Sequence, residues 1–397
     1  MEVDPFPNTH TQEGRRDMRT QLLASNDVFV TQIPKVELHV HIEGTLTPAL
    51  RWKLAKRNGI PVRLASPDRH PAELQSEQEV EKAYGDVISS AQLSQYAARA
   101  REDPSLVVPA TFFEAYYSGC DVLRTRQDFF DLAYDHFQRA AGMNVRYCEV
   151  FFDPQSHTSR GVPWDDFMGG LREAQQEAAT ELNVQSQWIM CFLRDSPIGS
   201  AKEHYRQALA YRDMIIGFGL DSNETNHPPH LFDEVFAQAR ADGFHITAHC
   251  DVGQRDTHAN IRHVAGALGG TGADRVDHGL NAADQQELTS LVAARGIGLT
   301  ICPWAYLRRW TYRETAERLR VLLDQGVRFS ISSDSPAYMD DSWVLHNLLL
   351  AKQMGGLSDR GVLELMKVSV GMSWASNEVK GRLLHELDAF ALTQTLG

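Results

Sequence analysis

Eight short apolar runs punctuate this chain, separated by helical patterns: Val36–His41, Val145–Phe152, Gln187–Phe192, Ile215–Leu220, His245–Cys250, Arg275–His278, Ile297–Cys302 and Arg328–Ser332. Runs of this length, rich in β-branched and aromatic residues, fit buried strands better than core helices. Amphipathic stretches such as Asp165–Leu182, Pro229–Asp242 and Thr311–Gln325 lie between them. In the last, Leu319, Val321, Leu322 and Leu323 make an apolar face beside a charged one. Gly243, Gly296 and Gly326 each stand between a helix and the next run, where helix C-caps belong. Strand and helix alternating without a break predict an α/β fold: one closed parallel (β/α)8 TIM barrel over residues 31–397. An open doubly wound sheet is the alternative, but no GxGxxG follows the first run.

Two segments stand outside that alternation. Residues 1–30 begin with a polar stretch holding Pro5, Pro7 and Asn8, which predicts a flexible N-terminal extension without a signal peptide's apolar centre. Ser66–Pro104 carries Glu73, Glu77, Glu79, Glu81 and Lys82 among scattered apolar positions, as a partly exposed helical insertion would. It follows the first strand, so it belongs at the rim where barrel chemistry occurs, either as a lid or as a plain surface insertion.

Composition narrows the partners. With 43% hydrophobic residues the chain can bury a large core, and no apolar run approaches the ~20 residues of a membrane helix. The net charge of −13 repels phosphate backbones and anionic lipids, which argues against nucleic-acid or membrane partners and leaves room for a neutral small molecule. A homo-oligomer is compatible with all of this. The five cysteines, Cys120, Cys148, Cys191, Cys250 and Cys302, are odd in number and far apart, as reduced core thiols of a cytoplasmic protein are.

The first run ends in His39-Val40-His41-Ile42-Glu43-Gly44. Two histidines one residue apart on a strand share a face, so both imidazoles enter the barrel mouth. Alone, such a pair is a weak signal, more often structural than metal-binding. His249, His278 and Asp334, however, also end strands, and together these groups supply the nitrogen and oxygen donors zinc prefers.

His39-Val40-His41-Ile42-Glu43-Gly44-Thr45 resembles the HxHLEGT opening of the adenosine and adenine deaminases. Glu149–Gly161, Gly219–Ser222, Asp277–Gly279, Thr300–Pro303 and Asp334–Tyr338 are similar to the adenine deaminase branch. The resemblance implies one zinc per chain held by His39, His41, His249 and Asp334, with His278 orienting and deprotonating the attacking water. It also implies that Gly44, His157, Asp221 and position 335 face the substrate. The implied reaction is hydrolytic deamination of a small amino-heterocycle: water made acidic by zinc adds to the ring carbon bearing the amino group, and ammonia leaves.

Two positions depart from the pattern. The family follows its third zinc histidine with Ala-Gly-Glu, whose glutamate protonates the ring; here Cys250-Asp251-Val252 stands instead. Valine cannot transfer a proton, which leaves Asp251, then Glu224 and Asp256, as replacement acids. Asp251 would need a turn at Gly253 to face the metal and a raised pKa to hold a proton. The family's second aspartate of an Asp-Asp-Pro triplet is Ser335 here, a hydroxyl that can donate or accept. The resulting expectation is a deaminase of adenine or a related aminopurine. An enzyme for N6-substituted purines or another amino-heterocycle is the second choice, and a non-catalytic metal- or ligand-binding relative the third. A cytidine-deaminase type of zinc site is excluded, because Cys302-Pro303-Trp304 is not its PCxxC.

Overall fold

A computed structural model describes residues 4–9, 11–64, 73–102 and 108–394. Nine parallel strands alternate with helices among them: β1 (Lys35–His41), β2 (Val145–Phe152), β3 (Gln185–Leu193), β4 (Ile215–Asp221), β5 (His245–Ile246), β6 (His249–Cys250), β7 (Arg275–His278), β8 (Gly298–Ile301) and β9 (Phe329–Ile331). They form two sheets, ordered β1-β2-β3-β4-β5 and β6-β7-β8-β9. Every residue of β1 is buried, as strands covered on both faces must be.

The strand expected over His245–Cys250 is interrupted at Thr247 and Ala248. Its first half pairs with β4 and its second with β7. Hydrogen bonding continues through the interruption: Thr247 N–H donates to Phe218 O at 3.0 Å, and Asp277 N–H donates to Ala248 O at 3.0 Å. At the far edges, Asp334 N–H donates to His39 O at 3.0 Å and His41 N–H donates to Asp334 O at 2.9 Å. The helix Tyr312–Asp324 shows how local sequence builds the outer layer. Thr311 and Glu314 form a capping box, and Thr315, Ala316, Leu319 and Leu322 turn inward at helical spacing. Gly243, Gly296 and Gly326 have φ of 86°, 65° and 65°, as expected of caps.

The N-terminal expectation fails. Residues Gln12–Ala24 are a helix capped by Thr11, followed by a short helix Val28–Gln32. Met18 and Leu22 are buried, and the guanidinium of Arg15 donates to Asp340 at 2.6 Å. Arg15, Met18 and Leu22 make an i, i+3, i+7 stripe that the polar composition of the stretch obscured.

Of the expected insertion, Glu77–Gly85 and Ser90–Glu102 are helical, while 66–72, 103 and 104 lie outside the described residues. The Tyr84 hydroxyl lies 3.1 Å from Leu46 O and 2.9 Å from the Tyr338 hydroxyl. The Tyr84 and Tyr338 rings stack at 4.4 Å, which ties this helix to the rim where β1 and β9 end. All five cysteines are buried and unpaired. No helix among the described residues is long and apolar enough to cross a membrane.

His136, in the helix Arg126–Gly142, is fully buried, and neither ring nitrogen has a hydrogen-bond partner. Burial, then the nearby Arg139, lowers its pKa from 6.5 to about 3. The unfolded chain therefore takes up a proton that the folded chain refuses. The stability His136 permits is complete above its unfolded pKa and is lost as pH falls through that value toward the folded one. His136→Phe removes the penalty, so the stability of the variant relative to wild type should grow by ~1.4 kcal/mol between about pH 8 and about pH 5.5 in urea melts. A difference that stays constant with pH would show that titration of His136 is not involved.

Candidate metal centre and active site

His39 and His41 leave the same face of β1, as alternation requires, and meet His249 of β6. Ring nitrogens of the three lie within 4.8 Å of one another. The orientation of each ring follows from its outer nitrogen. His249 Nδ1 lies 3.0 Å from Leu220 O, and a carbonyl only accepts, so Nδ1 carries the proton and Nε2 presents a lone pair. His39 Nδ1 lies 2.8 Å from Thr300 Oγ1, whose own hydrogen goes to Asp277 Oδ1 at 3.0 Å. The Thr300 oxygen therefore accepts from Nδ1–H, leaving the lone pair on His39 Nε2, a buried atom with no hydrogen-bond partner.

His41 Nε2 faces His249 Nε2 at 3.0 Å. Two ring nitrogens that close either share a proton or flank a cation. Nitrogen ligands of a single zinc, each about 2.0–2.1 Å from it, stand about 3.3 Å apart. Asp334 Oδ1 is 4.0 Å from His39 Nε2 and 3.7 Å from His41 Nε2, while Oδ2 is 4.0 Å from His278 Nε2. Both His278 (φ 60°) and Asp334 (φ 64°) are left-handed, a conformation costing ~1–3 kcal/mol that concentrates at functional sites.

Burial lowers the pKa of every imidazole here, His41 to about 3 and His278 to about 4, with His39 and His249 also well below the usual range. All four are neutral near pH 7, the form that binds a metal. Burial raises Asp334 to about 7, and a cation beside it would keep it ionised. Three neutral imidazoles with converging lone pairs and one buried carboxylate thus fit zinc by donor type and arrangement.

A second carboxylate group adjoins the first. Asp221 Oδ2 is 3.5 Å from His41 Nδ1, and Asp153 completes a cluster with these two. Burial, then the charge of neighbouring carboxylates, raises Asp153 well above its normal range, while burial takes Asp221 to about 7. Tyr116 donates to Asp153 Oδ2 at 3.1 Å. Asp221, expected from the resemblance to face the substrate, thus stands beside the histidine cluster. Gly44 is packed against Ser335: a Cβ there would come within 2.7 Å of the Ser335 Cα, so only glycine fits. Ser335 Oγ donates to Asp334 Oδ1 at 3.2 Å.

Two expectations need correction. Asp251 does turn at Gly253 (φ 70°), but its carboxylate pairs with Arg309, whose Nη1 also donates to Val252 O at 2.9 Å. Although burial opposes it, the Arg309 charge holds Asp251 below the ordinary carboxylate range, the reverse of what a proton donor needs. Glu224 behaves as Asp251 was expected to. It is buried, accepts from Asp251 N–H at 2.6 Å, and is raised to about 7 by that burial. His157 is the other case. Its Nε2 meets Glu43 at 2.8 Å and its Nδ1 meets Arg160 at 2.9 Å, so both nitrogens are committed inside the protein. It positions Glu43 and has no nitrogen left for a ligand. Sequence reasoning passed over Thr300 and Tyr306. Thr300 stands in the expected seventh run, and Tyr306 reaches His278 Nδ1 at 3.2 Å from the short helix Pro303–Tyr306 beyond it.

Residues 89–390 match the model of the adenosine deaminase family. The chain is 36% identical over 369 residues to an adenine deaminase of Rhodospirillum rubrum, covering 92% of this chain and 99% of that one. This chain belongs to the adenosine deaminase family. Members of this deaminase family are hydrolases of carbon–nitrogen bonds, and so is this protein. Its fold matches the crystal structure of adenine deaminase from Arthrobacter aurescens with a TM-score of 0.77 and 30% identity, covering 91% of this chain and 99% of that one. An amidohydrolase of Burkholderia ambifaria with bound zinc matches at a TM-score of 0.75 and 26% identity, over 92% of this deaminase and 93% of the other.

Proposed function

We propose that this protein is a zinc-dependent hydrolytic deaminase of adenine or a related aminopurine, built as one (β/α)8 barrel with a helical insertion after its first strand. The convergence of three imidazole lone pairs with Asp334 and His278, where parallel strands end, carries this assignment. His39, His41, His249 and Asp334 would hold one zinc, which when bound lowers the pKa of water toward neutrality. His278, neutral and held through Nδ1 by Tyr306, orients that water and accepts its proton at Nε2. Tyr306 Oη already accepts from Cys302 N–H at 2.9 Å and can accept His278 Nδ1–H as well, which leaves Nε2 bare.

Val252 is aliphatic, so the proton for the ring nitrogen must come from elsewhere. Glu224 takes that role, with Asp251 and Arg309 fixing the turn beside it. Asp221 and Ser335 face the substrate. The hydroxyl of Ser335, in place of a second aspartate, favours a second reading: a purine substituted on N6, or another amino-heterocycle, in which a different group is presented to this position.

The experiment is a screen of the zinc-loaded protein and its Ser335→Asp variant for ammonia or amine release across adenine, adenosine and N6-substituted purines. Wild type should turn over at least one of these, and Ser335→Asp should shift preference toward unsubstituted adenine or adenosine by ~10-fold or more. Release from none of them would reject the deaminase assignment. An unchanged ranking in the variant would remove Ser335 from recognition.

A further inference from the structure

A cavity of about 340 Å³ opens at the opposite end of the strands from the metal cluster. It is lined by the residues where strands begin: His245 of β5, Arg275 of β7, Gly298 of β8, and Arg328 just before β9. Lys380, from the last helix (Asn377–Leu392), and Trp374, from the connection before it, close the cavity. Three permanent cations thus converge on one concavity in a chain of net charge −13. Asp274 is the one carboxylate in the lining, and it is engaged by Arg240 at 3.3 Å and by His245, also of the lining, at 3.7 Å. Among the described residues, neither Arg328 nor Lys380 forms an ion pair.

The floor supplies an independent observation. Arg275 is 1% exposed, yet only its Nη1 is committed, to Glu149; Nε and Nη2 have no hydrogen-bond partner. Buried arginine donors left unmatched are costly, and the group that matches a guanidinium edge is a planar or tetrahedral oxyanion taking two parallel N–H bonds. Trp374 limits the choice further. The Arg275 guanidinium sits 3.8 Å from its ring centre, and His245 stacks on the same ring at 4.7 Å with an 11° interplanar angle. The indole is therefore taken up by the protein's own groups, and the cavity offers charge without a free aromatic platform for a base.

We propose that this cavity is a binding site for a phosphate group, free or carried on a small monoester, recognised by Arg275, Arg328 and Lys380. The site is separate from the deaminase centre and does not depend on the substrate assigned there. It gives β7 a functional side chain at each end of its four residues: Arg275 at the oxyanion cavity, and His278 at the metal cluster.

The test is calorimetric titration of the zinc-loaded, full-length protein with inorganic phosphate and, separately, with glycerol 3-phosphate, at constant ionic strength. Trp fluorescence is followed in parallel. Saturable binding of one equivalent is expected, at a Kd of about 1 mM or tighter. The double variant Arg328→Ser, Lys380→Ser changes only surface-accessible cations, so it should keep its melting temperature and turnover while binding weakens by ~10-fold or more. Binding of phosphate alone identifies the free ion as ligand, whereas binding of both probes admits the ester. No saturable binding of either probe overturns the proposal, and so does binding of unchanged affinity in the double variant, which would put the anion elsewhere.

Discussion

Replacing His39 and His41 together with alanine should leave a folded protein without its metal and with turnover reduced by at least ~10³-fold. The two imidazoles supply two of the four proposed donors; the hydrogen bond to Thr300 aims the lone pair of His39, and His41 Nδ1 lies 3.5 Å from Asp221. The remaining pair, His249 and Asp334, cannot hold zinc at the affinity of a four-donor set, since the ligands and the fold bind as a unit. Metal content by elemental analysis, turnover by ammonia release and folding by circular dichroism should be read on the same preparation. A double variant that is fully loaded with metal would refute the ligand assignment, whatever its activity.

Glu224→Gln should lower turnover by ~10²–10⁴-fold while metal content stays at the wild-type level. The amide still accepts from Asp251 N–H, so the turn after β6 is preserved, while the transferable proton and the carboxylate facing Arg194 at 3.5 Å are lost. Wild-type Glu224, raised to about 7, acts as an acid only while protonated, so turnover should fall as pH rises through that value. Asp251→Asn is the companion variant. It breaks the ion pair with Arg309 but removes no protonated group, and its effect should be the smaller of the two. Near-normal turnover in Glu224→Gln would exclude it as the acid. A larger loss in Asp251→Asn than in Glu224→Gln would return the role to Asp251.

What the sequence disclosed follows the range over which each force acts. Strand positions were legible because burial on both faces demands an unbroken apolar run, and seven of the eight expected runs lie over a single strand. His39 and His41 could be paired because strand alternation is a local property. The interruption at Thr247 and Ala248 could not be foreseen, since their hydrogen bonds to the strands on either side continue through it. The N-terminal helix was missed for a related reason: its anchor, Asp340, is 325 residues from Arg15. Asp251 was misjudged because the charge that sets its pKa, Arg309, comes from 58 residues downstream. His157 looked like a ligand-facing loop residue until Glu43 and Arg160 were seen to occupy both its nitrogens.

Asp334 unites two duties that need not be lost together. Its backbone forms the rung to β1, through His39 O and His41 N–H, and any residue except proline could make those bonds. Its φ of 64° is more selective and favours glycine, asparagine or aspartate. Asparagine and glycine are each one base change from an aspartate codon. Either would keep the seam between the first and last strands while deleting the carboxylate. The ancestry of such a chain can therefore pass from catalyst to passive binder in a single mutational step, without visiting an unfolded intermediate.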